Sequence, residues 1–325
     1  MNSKSSNTID VGAAVPAGAA GAGPTVPAAD ALRRALLLGL LGVFIFALSI
    51  PMTRLASGSA AAPRLDAVFV ALGRAALAGL CSIAYLAAVR ARWPRRSEWP
   101  LLAWTALGVV FGWPLLLGWA VLHVDAVHAA VVSGVLPLAT AALAALVMRQ
   151  RPSAGFWACA LLGLGLVVGF AAWRGAGGLQ WADALLLGAV LAGAWGYVWG
   201  ARLSTSLPPQ QVICWVLVLS LPLTLPVVLL YWPAQPVGAA AWGGFLYVSL
   251  FSMWLGFFAW YRALALGGAL RVSQVQVLQP FLSMLLAVPL LGEALDPMTL
   301  AFGLAVVAVV WLGKRMPVDV KEVRT

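Results

Sequence analysis

An apolar segment near the C-terminus is long enough to cross a membrane, yet it is interrupted by amides, a proline and a hydroxyl. The segment starts at residue 271, reads RVSQVQVLQPFLSMLLAVPLLGE, and includes Gln276, Gln279, Pro280 and Ser283. An amide in hydrocarbon costs free energy unless it finds a hydrogen-bond partner. On a helix, Gln276, Pro280 and Ser283 share one face, and Gln279 lies beside it. Such a face can bind a polar solute or a neighbouring helix.

A second apolar segment carries a matching set of polar residues. A shift of 143 positions in the sequence aligns three pairs, Ser133 with Gln276, Pro137 with Pro280, and Thr140 with Ser283. Each proline removes one backbone donor and frees a carbonyl, so we expect a helix kink at each of them. We expect the two polar faces, together with Gln279, to line a central cavity and bind substrate. The alternative is that the same groups bond to neighbouring helices.

Arg74 lies deep inside the apolar segment VFVALGRAALAGL. A charge inside a membrane is costly and is a candidate for function. The Arg74 guanidinium could bind a substrate carboxylate; it could also bond helix ends or reach towards the membrane surface. Trp254 and Tyr261 are candidates for an aromatic wall that binds an apolar or cationic substrate, with ordinary packing as the alternative.

Metal and cofactor chemistry have little support in the sequence. The stretch HVDAVH at 123–128 brings together both histidines of the chain and Asp125. A zinc site normally uses three or four protein ligands, and the stretch offers three at most, so an ordinary polar turn is the better explanation. The three cysteines are single and lie in apolar segments, which is typical of buried structural residues. We therefore expect no metal and no cofactor.

The composition indicates a membrane protein. Of the 325 residues, 63% are hydrophobic and 9% are charged, and the mean hydropathy is +0.97. Soluble domains are about 45–50% apolar and about 25% charged. The formal net charge is +10, but the positions of the basic residues explain it without nucleic acid.

Ten apolar segments are candidates for spanning helices, which need about 20 residues each. They are 35–53, 67–89, 100–122, 127–148, 154–173, 182–203, 211–232, 240–263, 269–291 and 297–313. With the N-terminus in the cytoplasm, sixteen Lys and Arg residues fall on the inside and three on the outside. The positive-inside rule therefore predicts cytoplasmic termini and an inner-membrane, multi-pass protein. The lipid bilayer is then the main partner of its surface.

Self-comparison indicates two copies of a five-helix unit. ALLLG occurs at 35–39 and again at 184–188, and the shift of 143 aligns the later helices. Five is odd, so the second copy must enter the membrane from the opposite side, which gives an inverted repeat. The predicted fold is all-α, with ten transmembrane helices as two inverted five-helix repeats. The predicted units are a disordered cytoplasmic tail at 1–30, repeats at 31–176 and 180–316, and a cytoplasmic tail at 317–325.

The chain resembles the drug/metabolite transporter superfamily, of the EamA type, from about residue 35 to 313. The resemblance rests on the five-plus-five plan and on the end of each half, where a helix with a mid-span proline, a short charged turn and a Gly/Ala-rich helix follow one another. Gly292 and Glu293 match the Gly-Glu of the family at the charged turn, whereas Arg149 and Gln150 stand there in the first half. The resemblance implies a secondary transporter, commonly an exporter of small metabolites such as amino acids.

Two other classes of function compete with a transporter. A membrane-embedded enzyme acting on lipid-like substrates typically needs Asp clusters for Mg²⁺ or a His/Glu/Asp constellation, and the sequence offers neither. A scaffold or sensor predicts an ordered domain outside the membrane. We therefore predict a transporter rather than an enzyme. Small-residue pairs with GxxxG spacing indicate close helix packing, either within the chain or in a homodimer.

Overall fold

A computed structural model of the chain describes residues 29–147, 151–175, 177–267, 273–316 and 318–319. Most of both predicted tails, and Arg149 and Gln150 of the first charged turn, lie outside the described residues. The described part is almost entirely helical, with one short antiparallel pairing between Arg151–Pro152 (β1) and Val318–Asp319 (β2).

The outer ends of most spans lie near the breaks that the apolar pattern predicts, and several spans are divided inside. The α-helices in chain order are α1 (Ala29–Ala47), α2 (Ser49–Ser57), α3 (Ala67–Ala88), α4 (Trp99–Ala106), α5 (Trp113–Ala120), α6 (Ala126–Ser133), α7 (Leu136–Val147), α8 (Ala154–Arg174), α9 (Trp181–Leu203), α10 (Pro209–Leu230), α11 (Ala239–Leu246), α12 (Gly256–Gly267), α13 (Gln279–Leu291) and α14 (Pro297–Lys314). Two 3₁₀-helices occupy Arg96–Glu98 and Ser273–Leu278, and two π-helical segments occupy Leu107–Gly112 and Tyr247–Leu255.

Eight continuous helical segments are long and apolar enough to cross a membrane. They are Leu32–Ser57, Ala67–Ala88, Arg96–Ala120, Ala126–Val147, Ala154–Arg174, Trp181–Leu203, Pro209–Leu230 and Ala239–Trp260. The last two predicted spans correspond to shorter apolar helices, Val275–Leu291 and Pro297–Gly313. The structure therefore has an all-helical, multi-pass architecture, while ten full-length spans remain a prediction.

Side chains at the helix starts explain several boundaries. The carboxylate of Asp66 accepts hydrogen bonds from the backbone N–H groups of Val68 and Phe69 at 2.7 and 3.3 Å. Asp296 caps α14 by accepting from the Thr299 N–H at 2.8 Å. These acceptors satisfy donors that the first turn of a helix leaves without partners. The charged and polar turns between the apolar segments thus define where the helices start.

Pro137 and Pro280 mark interruptions in their spans. Pro137 is the second residue of α7, which follows a break at residues 134–135, and Pro280 is the second residue of α13, which follows a 3₁₀-helix. Proline suits the first turn of a helix because the missing N–H is not needed there. A Cβ added at Gly134 would lie 3.4 Å from the Pro280 Cβ, so the two interruptions pack side by side.

The packing brings helices from the two halves of the chain together. In each pair that packs extensively, one helix precedes residue 176 and the other follows it: α3 with α10, α1 with α12, α8 with α14, α5 with α9 and α6 with α13. Gly108 and Gly196 permit a very close approach of the α4–α5 span to α9, because a Cβ at Gly108 would lie 2.4 Å from the Ala192 carbonyl oxygen. The core is formed where these pairs meet.

Candidate substrate cavity

Two adjoining cavities lie where the helices of the two halves meet. The larger encloses a volume of about 50 Å³, and the smaller about 20 Å³. Ile50, Leu136 and Gln279 line both of them. The two cavities therefore adjoin where α2, α7 and α13 meet, and together they make up the candidate site.

Arg74 contributes the only full charge among the described residues that line the two cavities. Its side chain projects from the middle of α3, and the residue is only 4% exposed. Its Nη2 donates a hydrogen bond to the Ser252 hydroxyl at 2.8 Å. The Ser252 and Ser49 hydroxyls are 2.6 Å apart and share a hydrogen bond. The three residues form a polar cluster that joins α3, the 247–255 π-segment and α2.

The π-helical segments supply residues to this cavity. Val109 comes from the 107–112 segment, and Ser252 and Met253 come from the 247–255 segment. A π-segment shifts the side chains that follow it around the helix axis, and such segments are frequent at functional sites. Val109 and Ser252 are also related by the shift of 143 residues, so equivalent positions of the two halves face one space.

The smaller cavity gathers most of the polar residues that the sequence predicted. Ser133, Gln276, Gln279 and Ser283 line it together with Pro137 and Pro280. Ser283 is 2% exposed, and its hydroxyl has no hydrogen-bond partner among the residues that the structure describes. The predicted polar faces of the two proline-containing spans thus lie across from each other.

Thr140 and Trp254 lie apart from this group, and the side chain of a third predicted site residue, Tyr261, is not described. The Thr140 hydroxyl donates to the Leu136 carbonyl oxygen at 2.8 Å, the common backbone bond of a helical threonine. Trp254 packs against Phe258 with ring centroids 5.3 Å apart, and it is not among the described residues that line either cavity. Tyr261 belongs to α12, but its side chain lies outside the described part of the structure.

The sequence interpretation missed several residues of the larger cavity. Ser49 and Ser252 were not predicted because single serines in apolar helices commonly bond to their own backbone. Their mutual bond joins positions 203 residues apart, which no local pattern reveals. Tyr197, which is not among the predicted site residues, lines the larger cavity and lies close enough to Arg74 to interact with it electrostatically.

A family model matches the chain twice. The model of the EamA-like transporter family matches residues 33–171 and again residues 180–313. The chain belongs to the EamA-like transporter family. It is accordingly a multi-pass membrane protein of a transporter family, as the resemblance implied.

One relative of this EamA-like chain is also described as a transporter. The "Uncharacterized transporter YdeK" of Bacillus subtilis (strain 168) is 41% identical over 279 residues, covering 85% of this chain and 96% of that protein. A solved structure described as "Crystal structure of protein" aligns with a TM-score of 0.58 and 21% identity, covering 86% of this chain and 96% of the other. The second likeness concerns the fold alone.

A second polar cluster of the EamA-like chain lies at one end of the bundle. We call it the acidic end, because Asp125, Asp183, Glu293 and Asp296 all lie there. The His128 Nε2 is 2.7 Å from the Asp183 Oδ1, and both side chains are buried. His123 instead lies with Nδ1 3.1 Å from the Trp119 carbonyl oxygen. The histidines of the HVDAVH stretch thus have separate partners.

Glu293 and Arg174 connect the two halves at the acidic end. The Glu293 carboxylate accepts hydrogen bonds from the Ala126 and Val127 N–H groups, both at 2.8 Å, and so caps α6. Burial is the main influence on the Glu293 carboxyl and raises its pKa, which the two backbone bonds partly oppose. Arg174 bridges Asp125 at 3.1 Å and Asp296 at 3.4 Å. The acidic end is therefore held together by polar contacts between the halves.

Proposed function

We propose that the chain is a secondary transporter of the inner membrane, driven without ATP, that moves small metabolites such as amino acids out of the cell. Both termini are cytoplasmic in this proposal, and the acidic end faces outwards. The observation that carries it is the cavity that contains a buried arginine and lies between the two halves of a chain whose family consists of transporters.

The packing of the helices supports an inverted repeat of two five-helix units. Exchanging the two halves converts the contact of α1 with α12 into the contact of α9 with the α4–α5 span. The same exchange maps the α3–α10 and α8–α14 pairs onto themselves, and it maps one π-segment onto the other. In such a fold, one half adopts the conformation of the other when the cavity changes the side to which it opens.

The contacts at the acidic end fit the role of a closed outer gate. Glu293 binds α6 across the halves, Arg174 pairs with Asp296, and His128 pairs with Asp183. Opening the cavity outwards must separate these groups. Water then hydrates the separated charged groups, and this hydration partly offsets the free energy of the lost contacts. The protein can therefore still exchange between the closed and the outward-open state.

A flux assay tests the proposal. Purified protein is reconstituted into liposomes, and uptake of labelled amino acids, organic acids, amines and sugars is compared with that of protein-free liposomes. We expect saturable uptake of at least one solute. Background uptake of every solute by protein that remains folded would contradict the proposed function.

A further inference from the structure

Arg74 has donors that the described part of the protein does not satisfy. A guanidinium carries five N–H donors in a planar fork. The structure gives one of its groups, Nη2, a hydrogen bond to Ser252, whereas Nε is buried and has no partner among the described residues. A buried donor without an acceptor costs about 1–3 kcal/mol, and more when the group is charged. The Arg74 side chain with this unsatisfied donor lines the larger cavity.

The charge of Arg74 is also uncompensated. Among the described residues, the acidic partners of arginine lie elsewhere: Glu98 pairs with Arg92, and Asp125 and Asp296 pair with Arg174. Within the same part of the chain, no Asp or Glu lines either cavity. A charge inside a membrane bundle is normally paired or bound to a ligand. An anion from outside the chain would therefore be favourable in this space.

The remaining wall of the larger cavity is mostly apolar. Its apolar and aromatic side chains surround the space next to the guanidinium: Phe46, Ile50, Trp113, Leu136, Met253 and Phe257. Gln279 adds one amide where the two cavities join. A ligand that fits this lining has one anionic end and an apolar body.

We propose that the cavity binds small carboxylates with an apolar body, and that Arg74 is the residue that recognises the carboxylate. The inference rests on the proposed function and specifies its substrate class. The carboxylate accepts hydrogen bonds from the free guanidinium N–H groups, in the fork geometry that arginine favours. The Ser252–Ser49 pair holds the guanidinium in position, and the apolar body packs on the aromatic wall. Apolar amino acids and simple organic acids both carry this chemistry, whereas the Arg74 charge repels amines.

Equilibrium binding to the purified protein in detergent tests this inference. The probes are 3-phenylpropanoate, the neutral amide 3-phenylpropanamide, the cation 3-phenylpropylamine, and phenylalanine; calorimetric titration gives each dissociation constant. We expect the carboxylate to bind at least about tenfold more tightly than the amide, because charge-assisted hydrogen bonds are lost in the amide. Equal or tighter binding of the amide or the amine would overturn the inference.

The amino acid probe distinguishes the two sources of the carboxylate. Binding of both phenylalanine and phenylpropanoate supports the inference and assigns amino acids to the site. Binding of phenylpropanoate alone supports it and assigns simple organic acids. Binding of phenylalanine alone overturns it, because an ammonium group would then be required as well.

Arginine variants identify the group that recognises the carboxylate. Arg74→Gln should abolish binding of phenylpropanoate, and Arg74→Lys should bind it more weakly than the native protein does. The control is Arg64→Gln, on a loop outside both cavities, which should leave the binding unchanged. Unchanged binding in a folded Arg74→Gln protein would overturn the assignment. If that variant does not fold, the dissociation constants of the acid, the amide and the amine on the native protein test whether the cavity recognises a carboxylate.

The result is separable from that of the flux assay. Binding of carboxylates without flux would contradict the transporter but not the recognition by Arg74. Flux of amines or sugars without binding of any carboxylate would support the proposed transport function and would overturn the proposal that the substrates are carboxylates.

Discussion

Gln279 is the residue at which the two halves differ most clearly within the site. It lines both cavities, and its counterpart by the shift of 143 is the apolar Leu136, which also lines both. A substrate bound between Gln279 and Leu136 would contact an amide on one side and the methyl groups of a leucine on the other. Gln276, which belongs to the polar face predicted from the sequence, lines only the smaller cavity. The structure therefore shifts the emphasis to Gln279.

Replacing Gln279 by Leu should weaken substrate binding while leaving membrane insertion intact. Loss of one hydrogen bond should raise the apparent KM for the transported solute roughly two- to tenfold. The measurement is initial flux in proteoliposomes, with Gln211→Leu at the start of α10 as the matched control. An unchanged KM for the Gln279 variant would exclude its contact with substrate.

Ser252 should contribute to stability through Arg74. Ser252→Ala leaves the Nη2 group of Arg74 buried without its acceptor, and it also removes the partner of Ser49. We expect a loss of about 1–3 kcal/mol in the free energy of unfolding, seen as a lower Tm in detergent. Ser204→Ala serves as control, since the Ser204 hydroxyl bonds to the carbonyl of its own helix. Equal Tm values for the two variants would contradict the role given to Ser252.

At the residue scale, the sequence singles out side chains whose charge or amide is unusual in a hydrocarbon environment. Arg74 and the polar faces of the two proline spans stand out for that reason, and the structure brings Arg74, Gln276 and Gln279 to adjoining cavities. Ser49 and Ser252 did not stand out because a hydroxyl fits almost any helix. Thr140 aligns with Ser283 by the shift of 143, yet its hydroxyl bonds to the Leu136 carbonyl of its own helix. Spacing along the sequence therefore does not by itself distinguish residues that line a cavity from other polar residues of the helix.

At the scale of elements, the glycine contact between the α4–α5 span and α9 is a very close backbone approach. A Cβ at Gly108 would lie 2.5 Å from the Gly196 backbone nitrogen, closer than real Cβ contacts allow. By contrast, a Cβ at Gly165 or Gly169 would meet nothing within 4 Å among the described residues. GxxxG spacing in the sequence does not distinguish these two cases, because it does not tell which face packs against a neighbour.

Gly108→Ala should therefore destabilise the protein, whereas Gly165→Ala should not. The added methyl forces two backbones apart, and overpacking of this kind costs about 1–3 kcal/mol. Thermal unfolding in detergent, with the two variants side by side, measures the difference. A Tm for Gly108→Ala equal to that of Gly165→Ala would contradict the close approach.

The helices themselves could be predicted largely from the sequence, because apolar segments alternate with charged or proline-rich turns. The interruptions could be predicted only in part. Pro137 and Pro280, the predicted kink sites, lie in the first turn of an α-helical segment that follows a break or a 3₁₀-helix. The two π-segments were not predicted, since an inserted residue in a helix leaves no clear signal in an all-apolar stretch.

At the scale of the whole molecule, the acidic end should act as a gate. Glu293→Ala removes the cap on α6, and Arg174→Ala removes the bridge to Asp296. With both changes, the outward-open state should become more populated, because the bonds that the two substitutions remove stabilise the closed state alone.

Cysteine accessibility measures that shift. Cys81, Cys159 and Cys214 are replaced by alanine, and a cysteine at Ser133 reports on the smaller cavity. A membrane-impermeant thiol reagent added from outside should label it several-fold faster in the double variant than in the background protein. Equal labelling rates would contradict the gate.

The division of the chain into two repeats could be predicted from the sequence because the halves still align at fixed offsets. The family model matches residues 33–171 and 180–313, close to the predicted repeats at 31–176 and 180–316. The cavity could not be predicted in this way, because its lining combines side chains from distant segments that meet only after folding, such as Arg74, Ser252 and Gln279.

The most direct test of the central claim is flux in proteoliposomes that contain either the native protein or the Arg74→Gln variant, with protein-free liposomes as background. Amino acids, organic acids, amines and sugars are offered in turn, and initial rates are recorded. The account predicts saturable flux of at least one carboxylate by the native protein and a rate close to background for the variant. Rates at background for every solute with folded native protein, or equal carboxylate flux by native protein and variant, would contradict it.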